Sequence, residues 1–480
     1  MPVKSATKVA DPRLAWTRFA AAVLSSGVPH LAADRVGNLY LGSEDLAPPR
    51  SGGKLATPGA QAADLAGEPW LLKMTPSGQV AWLRQLGGSG RDVIRDIEVL
   101  SNGRLAVALS TSSPDFPGLD PSYQRTGHYS DAVVSVVDPA SGNLVWSRAL
   151  GGVDDDTADG LAAGPNGSVA VTGGTVPTDS PYLPDVDDTL SRAMVVSSVV
   201  PFAAVLNADG TTRWFRPVLP RRTTPVGQNT AFGVAVAVGR AGQVVLTGRG
   251  TNPELPTTAG SVQPRMTSEH GNQGFVFTFS PAGTLAWGSY LGGRGETVPA
   301  AVEVAANGTV AVVGATQAPD FPRMRAVQRL CADGGHNDAF VTRLSADGRR
   351  IVHSTCVGGR VGGLALDATT ARDGSLVVVG TGGGPGFPTR GRCQNSRAGG
   401  AGDAFVATFG RGGPTLNRAF AFGGSDADSG YAIATVPGGI AVAGWTGSLD
   451  FPGARPDDPD GPRAVGQTRQ AIFLTRFTGL

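Results

Sequence analysis

Apolar and polar residues alternate with a period of two along much of the chain, in short runs bounded by Gly, Asn, Asp or Pro. The run TVAVVGA at 309–315 shows this pattern, and SVAVTGG at 168–174 repeats it. A period of two places successive side chains on opposite faces of a strand, and turn residues at both ends are typical of hairpins. Because no helical period competes with it, the pattern predicts an all-β protein built from short antiparallel strands.

The strands recur in a fixed order. A run of small residues such as AVEVAA at 301–306 leads through a Gly turn into an alternating strand, and a long connector follows with an Asp-Phe-Pro corner. A strand like DAFVTRL at 338–344, a second turn and a last strand that ends in Gly-Gly complete the unit. The Gly-Gly pairs begin at Gly87, Gly151, Gly292, Gly358 and Gly423. Their spacings are 64, 141, 66 and 65 residues, and one pair is missing inside the long gap, which predicts seven units of about 65 residues with a degenerate third copy.

Four strands per unit in seven units predict a single seven-bladed β-propeller with four antiparallel strands per blade. Blades converge on a central channel, so the innermost strand needs small side chains, and the runs at 30–34 and 160–164 supply them. The large Trp82, Trp146, Trp214 and Trp287 then fall on the outer strand.

In this register the chain begins with an outer strand at 14–21 and ends with the third strand of the seventh blade at 470–477. We therefore expect the two terminal strands to pair and close the ring, because closure removes the exposed sheet edges of an open array. The expected organisation is a flexible tail at 1–13 followed by one propeller domain at 14–480.

The repeat, with its Asp-Ala-Phe-Val strand, Leu-Gly-Gly end and Asp-Phe-Pro corner, resembles the bacterial seven-bladed propeller repeats known as SBBP repeats. It is similar in strand order to NHL repeats. The resemblance extends over nearly the whole chain and is weakest in the third unit. It implies a bacterial protein at the cell surface or outside the cell, and it implies no catalytic residues, because a shared fold does not specify activity.

Composition excludes several kinds of partner. The net charge is +1 and only 16% of residues are charged, so the chain lacks the basic surface expected of a nucleic-acid-binding protein. No apolar run approaches the roughly 18–20 residues that span a bilayer. The N-terminus shows no signal peptide, since no apolar stretch accompanies its lysines. Of the three cysteines at least one is unpaired, and the sequence allows a bridge between Cys331 and Cys393 in neighbouring loops.

Long connectors favour one rim of the propeller for recognition, because function is usually carried by loops on a rigid scaffold. The third unit departs most from the repeat. Its insertion at 185–200 and its loop at 217–230 suggest a ligand-binding surface, for which the candidate residues are Met194, Asp187, Asp188, Arg221 and Arg222. The alternative is that the insertion has no function, since surface loops tolerate extra length at little cost.

Acidic, Gly-rich loops offer two interpretations. Asp154, Asp156, Asp426 and Asp428 are candidate calcium ligands, because calcium prefers six to eight oxygen ligands. An acid also recurs at Asp92, and none of the loops has EF-hand spacing. The favoured interpretation is structural, with the carboxylates accepting hydrogen bonds from loop N–H groups and no cofactor bound.

Carboxylates of the innermost strands are the candidates for catalysis. Glu98 and Glu303 are assigned to equivalent positions, where other units have small residues. These are Ala32, Ala162, Ala365 and Ala434. Asp96, Asp159 and His30 are placed near the same channel mouth. Two acids facing each other suit general acid–base catalysis, although acids in a channel are more often simply hydrated.

The sequence therefore favours a non-catalytic binding or scaffold propeller that recognises a protein or another ligand through its long loops. A hydrolase or lyase that uses the channel acids is the main alternative. A carbohydrate-binding propeller is a third, but aromatic residues make up only 6% of the chain. The closed ring is expected to be monomeric.

Overall fold

A computed structural model contains 28 β-strands in seven separate four-stranded antiparallel sheets. It describes residues 12–21, 28–44, 69–119, 130–152, 154–176, 199–222, 229–269, 271–328, 331–332, 335–360, 362–390, 402–411, 413, 415–454 and 471–479. The all-β fold class, the seven blades and the four strands per blade are thus as the repeat pattern predicted.

The strands follow one another at the spacing of the repeat. The first is β1 (Arg13–Ala21), and blade 1 comprises β2 (His30–Ala33), β3 (Leu39–Ser43), β4 (Trp70–Met74) and β5 (Val80–Gln85). Blade 2 comprises β6 (Asp92–Val99), β7 (Leu105–Thr111), β8 (Asp131–Val137) and β9 (Leu144–Leu150). Blade 3 comprises β10 (Thr157–Ala163), β11 (Val169–Thr175), β12 (Val200–Leu206) and β13 (Thr212–Pro217). Blade 4 comprises β14 (Ala231–Val238), β15 (Val244–Gly250), β16 (Gln273–Phe279) and β17 (Leu285–Leu291).

The remaining blades repeat this order. Blade 5 comprises β18 (Thr297–Val304), β19 (Val310–Thr316), β20 (Asp338–Leu344) and β21 (Ile351–Val357). Blade 6 comprises β22 (Gly363–Thr370), β23 (Leu376–Gly382), β24 (Asp403–Phe409) and β25 (Leu416–Phe422). Blade 7 comprises β26 (Asp428–Val436), β27 (Gly439–Thr446) and β28 (Ala471–Thr478), with β1 as its outermost strand.

The pairing of β1 with β28 closes the ring, as predicted. The two strands are antiparallel, and the hydroxyls of Thr17 and Thr475 lie 3.1 Å apart across the seam. Inside the continuous blade 2, Ser135 and Ser147 form the same cross-strand hydrogen bond at 2.9 Å. The seam therefore has the geometry of an ordinary blade hairpin.

The core lies between blades and not within them. Seven buried apolar clusters each join two neighbouring blades, and one of them packs Leu41 of blade 1 against Ala443 of blade 7. The first strands of neighbouring blades contact one another all around the ring, including β2 with β26. The first strand of each blade is therefore the innermost one and lines the central channel.

The outer-strand tryptophans bind the neighbouring blade. The indole Nε1 of Trp287 donates to the carbonyl of Ala346 in the next blade at 2.9 Å, and its ring covers Gly348 of the same turn. Gly348 has a φ of +67°, and a Cβ there would lie 2.4 Å from the indole, so only glycine fits. Trp16, Trp82, Trp146 and Trp214 make the equivalent hydrogen bond.

Blades 5 and 6 replace this contact with arginines. The position of the outer-strand Trp is occupied by His353 in blade 5 and by Arg418 in blade 6. Arg343 and Arg418 each donate through Nη1 to a carbonyl of the following blade, those of Arg411 and Gly479. Every junction from blade 1 round to blade 7 is thus bridged by a long side chain.

The antiparallel order of each blade separates two faces of the ring. The short-turn face carries the hairpin turns, such as 101–103 and 207–211, where Gly supplies the positive φ. The long-loop face carries the connectors between second and third strands and the crossover loops between blades. Asp115 caps one crossover loop by accepting hydrogen bonds from the N–H and hydroxyl of Ser89, while the next residue, Phe116, is buried. Asp320 and Asp450 cap equivalent loops.

The proposed bridge from Cys331 to Cys393 is wrong, because Cys331 forms a disulfide with Cys356. Cys331 lies in the connector just before β20, and β20 pairs directly with β21, which holds Cys356. Both sulfur-bearing residues are buried, so the bond fastens the connector to the outer strand of its own blade. Cys393 lies outside the described residues.

Within the described ranges we find no helix with the length and hydrophobicity required to cross a lipid bilayer.

Candidate functional site

The innermost strands carry a β-bulge at one equivalent position in six of the seven blades. The unpaired residues are Arg95, Asp159, Val234, Ala300, Leu366 and Tyr431, and all are at least partly exposed. The residue before each of them is buried. Bulges redirect a side chain, and these lie on strands that line the channel, so we call this ring of six residues the collar.

The collar lies toward the long-loop face. Each innermost strand runs from a crossover loop on that face to a hairpin turn on the other, and the bulge falls in its first half. Glu98 is three residues beyond Arg95, or about 10 Å further along the strand toward the short-turn face. The channel residues thus form successive layers.

Charged side chains meet in blades 1 to 3. The Arg95 Nε lies 3.9 Å from the Asp159 Oδ1 and donates to the Ser110 hydroxyl at 3.3 Å, while the Asp159 Oδ2 accepts a hydrogen bond from Thr157. Enclosure raises the pKa of the Asp159 carboxyl, although the Thr157 hydrogen bond and two nearby arginines oppose this shift. Enclosure and the Arg95 charge lower the pKa of His30 to about 4, so its imidazole is neutral at pH 7.

Blades 4 to 7 give the other side of the collar an apolar character. Val234, Ala300 and Leu366 follow one another around the ring and end at Tyr431, whose ring lies 5.5 Å from that of Trp445. Enclosure raises the pKa of the Tyr431 hydroxyl, so the phenol stays neutral. The collar is therefore polar and charged on one side and apolar and aromatic on the other.

Asp96 and Asp367 occupy the next layer and have structural partners. The Asp96 Oδ2 accepts from the Leu161 N–H of the following blade at 2.7 Å, and the Asp367 Oδ2 accepts from the Ile433 N–H at 2.8 Å. Enclosure raises the pKa of both carboxyls to about 7. In blade 1 the register places His30 at the corresponding position.

Glu98 and Glu303 lie in the layer nearer the short-turn face. The register confirms that they are equivalent, but the corresponding residue of blade 6 is Thr369 and not Ala365, which lies four residues earlier, before the bulge, and pairs with Gly380. Thr370 donates to the Glu303 Oε2 at 2.8 Å. Enclosure raises the pKa of Glu98 to about 8, with further contributions from Asp96 and Glu303, and that of Glu303 to about 7.

The candidate ligand residues of the third unit are only partly described. Arg221 donates through its backbone N–H to the Glu254 carbonyl and through Nη2 to the Thr257 carbonyl, so it fastens its own loop. Arg222 is exposed. Met194, Asp187 and Asp188 lie outside the described residues.

The candidate calcium ligands fall on the crossover loops. Buried Asp156 and Asp428 accept hydrogen bonds through Oδ2 from the N–H groups of Gly152 and Gly424. The neighbouring Asp154 is partly exposed. Asp426 is exposed, and its N–H donates to Ser448. No group of three or more His, Cys, Asp or Glu side chains in the described ranges is placed to hold a metal ion. These bonds are of the kind expected for loop capping.

Sequence reasoning found His30 and Asp159 but missed Arg95, Arg249 and Tyr431. A bulge inserts one unpaired residue, so strict alternation assigns the following residues to the wrong face. The sequence did contain a sign of the bulge, because the strand that includes RDIEV at 95–99 has one residue more than the alternating strand that follows it.

We found no protein-family model and no curated protein that matches this chain. Among solved structures, a protein of unknown function from Dyadobacter fermentans is similar over 98% of both chains, at 12% identity and a TM-score of 0.41. The polysaccharide lyase Uly1 is similar over 95% of this chain and 91% of its own, at 8% identity and a TM-score of 0.48. Puromycin hydrolase is similar over 88% of this chain and 51% of its own, at 14% identity and a TM-score of 0.43. The chain is a seven-bladed β-propeller, and this assignment follows from its seven four-stranded sheets and not from these similarities.

Proposed function

We propose that this chain is a non-catalytic binding and scaffold propeller that recognises a protein or another ligand through its long-loop face, with the collar at the centre. The supporting observation is that one position, at least partly exposed in every case, holds a different side chain in each of six blades. Structural positions of the repeat instead keep one residue type, such as the Gly of the hairpin turns. A rigid ring that varies where it is exposed is suited to recognition.

Charges around the rim support the same face. The crossover loops present Arg91, Arg294 and Arg360, all exposed, whereas two other crossover loops present Asp155 and Asp426. Such a pattern of opposite charges selects a partner with the complementary pattern and orients it during association.

The experiment replaces three arginines by glutamate on each face, so both variants change the net charge by the same amount. The triple variant R91E/R294E/R360E alters the long-loop face, and R35E/R240E/R349E alters exposed arginines of the short-turn face. Partners captured from the native source are identified by mass spectrometry and compared with those of the parent protein. We expect the first variant to lose a partner that the second retains; equal retention by both, or loss from the second alone, would refute the proposal.

A hydrolase or lyase is the second candidate, favoured by the elevated pKa values of Glu98 and Glu303. A carboxyl that stays protonated near neutral pH suits a general acid. Under the binding proposal, the double variant E98A/E303A retains partner binding. If the captured ligand is converted by the parent protein and left intact by this variant, the enzyme interpretation replaces the binding one.

The remaining features belong to the same proposal. The resemblance to SBBP repeats supports a bacterial protein at the cell surface or outside the cell, which fractionation of the source organism tests. Closure of the ring supports a monomer, which light scattering tests. We propose no cofactor. A rise in melting temperature on addition of calcium, reversed by EDTA, would show instead that calcium binds.

A further inference from the structure

Two arginines at the channel mouth, Arg95 and Arg249, have side-chain N–H donors that bond to no described residue. Arg95 engages Ser110 and Asp159 through Nε alone, and neither of its terminal nitrogens bonds to a described residue. Arg249, near the end of β15, is exposed and acts on Asp159 only through its charge. Guanidinium groups bind carboxylates and phosphates through paired N–H donors, so this arrangement offers an anion several donors that no described residue occupies.

The local charge favours an anion and not a cation. Among the described residues, Asp159 is the carboxylate that interacts with both guanidinium groups, and one of its oxygens already accepts from Thr157. His30 adds no charge at pH 7, because its pKa is lowered to about 4, but its ring can still donate or accept a hydrogen bond. Arg95, Arg249 and Asp159 together therefore carry a net positive charge.

The collar residues of blades 4 to 7 offer apolar contact. Val234 and Leu366 are partly exposed to the channel, and Tyr431 presents an aromatic ring supported by Trp445. Exposed apolar groups beside charged ones are typical of pockets where polar atoms orient a mainly apolar ligand. An inorganic anion would leave this side hydrated.

We propose that the channel mouth binds a small amphipathic anion, with its acidic group held by Arg95 and Arg249 and its aryl or alkyl group against Val234, Leu366 and Tyr431. The shared chemistry is a carboxylate, sulfonate or phosphate on an apolar body. This inference deepens the proposed function, since it assigns a ligand class to the centre of the recognition face.

The test uses the fluorescent aryl sulfonate 8-anilinonaphthalene-1-sulfonate and the full-length protein. We expect one saturable site per chain. Replacement of both arginines, R95Q/R249Q, should weaken binding at least about tenfold, as expected for the loss of charge-assisted hydrogen bonds. The matched control R240Q/R349Q removes two exposed arginines from the short-turn face and should bind like the parent. Unchanged thermal unfolding of both variants verifies that they are folded.

Competition identifies the ligand chemistry. We expect 3-phenylpropionate or phenyl phosphate to displace the probe. The stronger of these two competitors shows whether the site prefers a carboxylate or a phosphate. The neutral 3-phenylpropionamide should displace the probe far less. Probe binding that does not saturate, that survives R95Q/R249Q, or that the amide displaces equally well would overturn the proposal. The face comparison with R91E/R294E/R360E is independent of these outcomes, so failure of the anion site leaves the proposed function separately testable.

Discussion

At the scale of single residues, one indole hydrogen bond per junction links most neighbouring blades. Trp287 donates to Ala346, and the same contact recurs at four other junctions. Trp70, in contrast, has an indole nitrogen that is buried without a hydrogen-bond partner among the described residues. Replacing each of these two tryptophans by Phe therefore distinguishes the effect of losing the hydrogen bond from the effect of losing the larger indole ring.

Replacement of Trp287 by Phe should destabilise the protein by about 1 kcal/mol, because it removes the bond and leaves a carbonyl without its donor. The control W70F removes a donor that has no partner, so its free energy of unfolding should change much less. Urea unfolding measures both. Equal losses in the two variants would show that the indole hydrogen bonds do not stabilise the blade junctions.

The acid pair of the channel makes stability depend on pH. Folded Glu98 keeps its proton up to about pH 8, whereas the unfolded side chain loses it near 4.5. The unfolded state therefore binds fewer protons between these values, and stability contributed by this group falls as pH rises through them.

The variant E98Q should be more stable than the parent at pH 8 by about 1–2 kcal/mol, a figure reduced for hydration of the channel, and nearly equal to it at pH 5. E269Q alters a side chain that is 65% exposed and serves as the control. Urea unfolding at both pH values is the measurement. A parent protein that is as stable as E98Q at pH 8 would contradict the raised pKa.

At the scale of elements, the strand order of each blade followed from alternation and turn residues, whereas contacts that depend on register did not. The repeat predicted inner strands with small residues, and the structure confirms them. The bulge beside Asp96 adds one residue to the strand, and alternation alone does not tell which residue is unpaired, so Arg95 was missed. Blade 6 was misaligned by four residues, at Ala365 in place of Thr369. The Trp–Gly contact joins residues about 60 apart in sequence, which no local pattern reveals.

The disulfide of blade 5 links two elements, the connector that precedes β20 and the outer strand β21. C331S/C356S removes a cross-link between residues 25 apart in sequence and should cost about 3 kcal/mol in the free energy of unfolding. Reductant should destabilise the parent by a similar amount and leave this variant unchanged. C393S should behave like the parent; a large loss in C393S would instead indicate pairing with Cys393.

At the scale of the whole molecule, the channel and its two faces depend on ring closure. Closure adds β1 as the fourth strand of blade 7, brings β2 against β26 and completes the channel that the collar surrounds. The seam repeats the register and hydroxyl contact of an uninterrupted blade. The two faces and their proposed roles follow from this arrangement.

Closure is tested most directly by cross-linking the seam. Thr17 and Thr475 are directly opposite each other, which places their Cα atoms within the range that a disulfide can bridge. Peptide mapping by mass spectrometry after mild oxidation should find an intramolecular bond in T17C/T475C, as in the hairpin control S135C/S147C, and none in T17C/S354C. If the seam cysteines join only between molecules, or no more often than the distant pair, the ring is not closed as described.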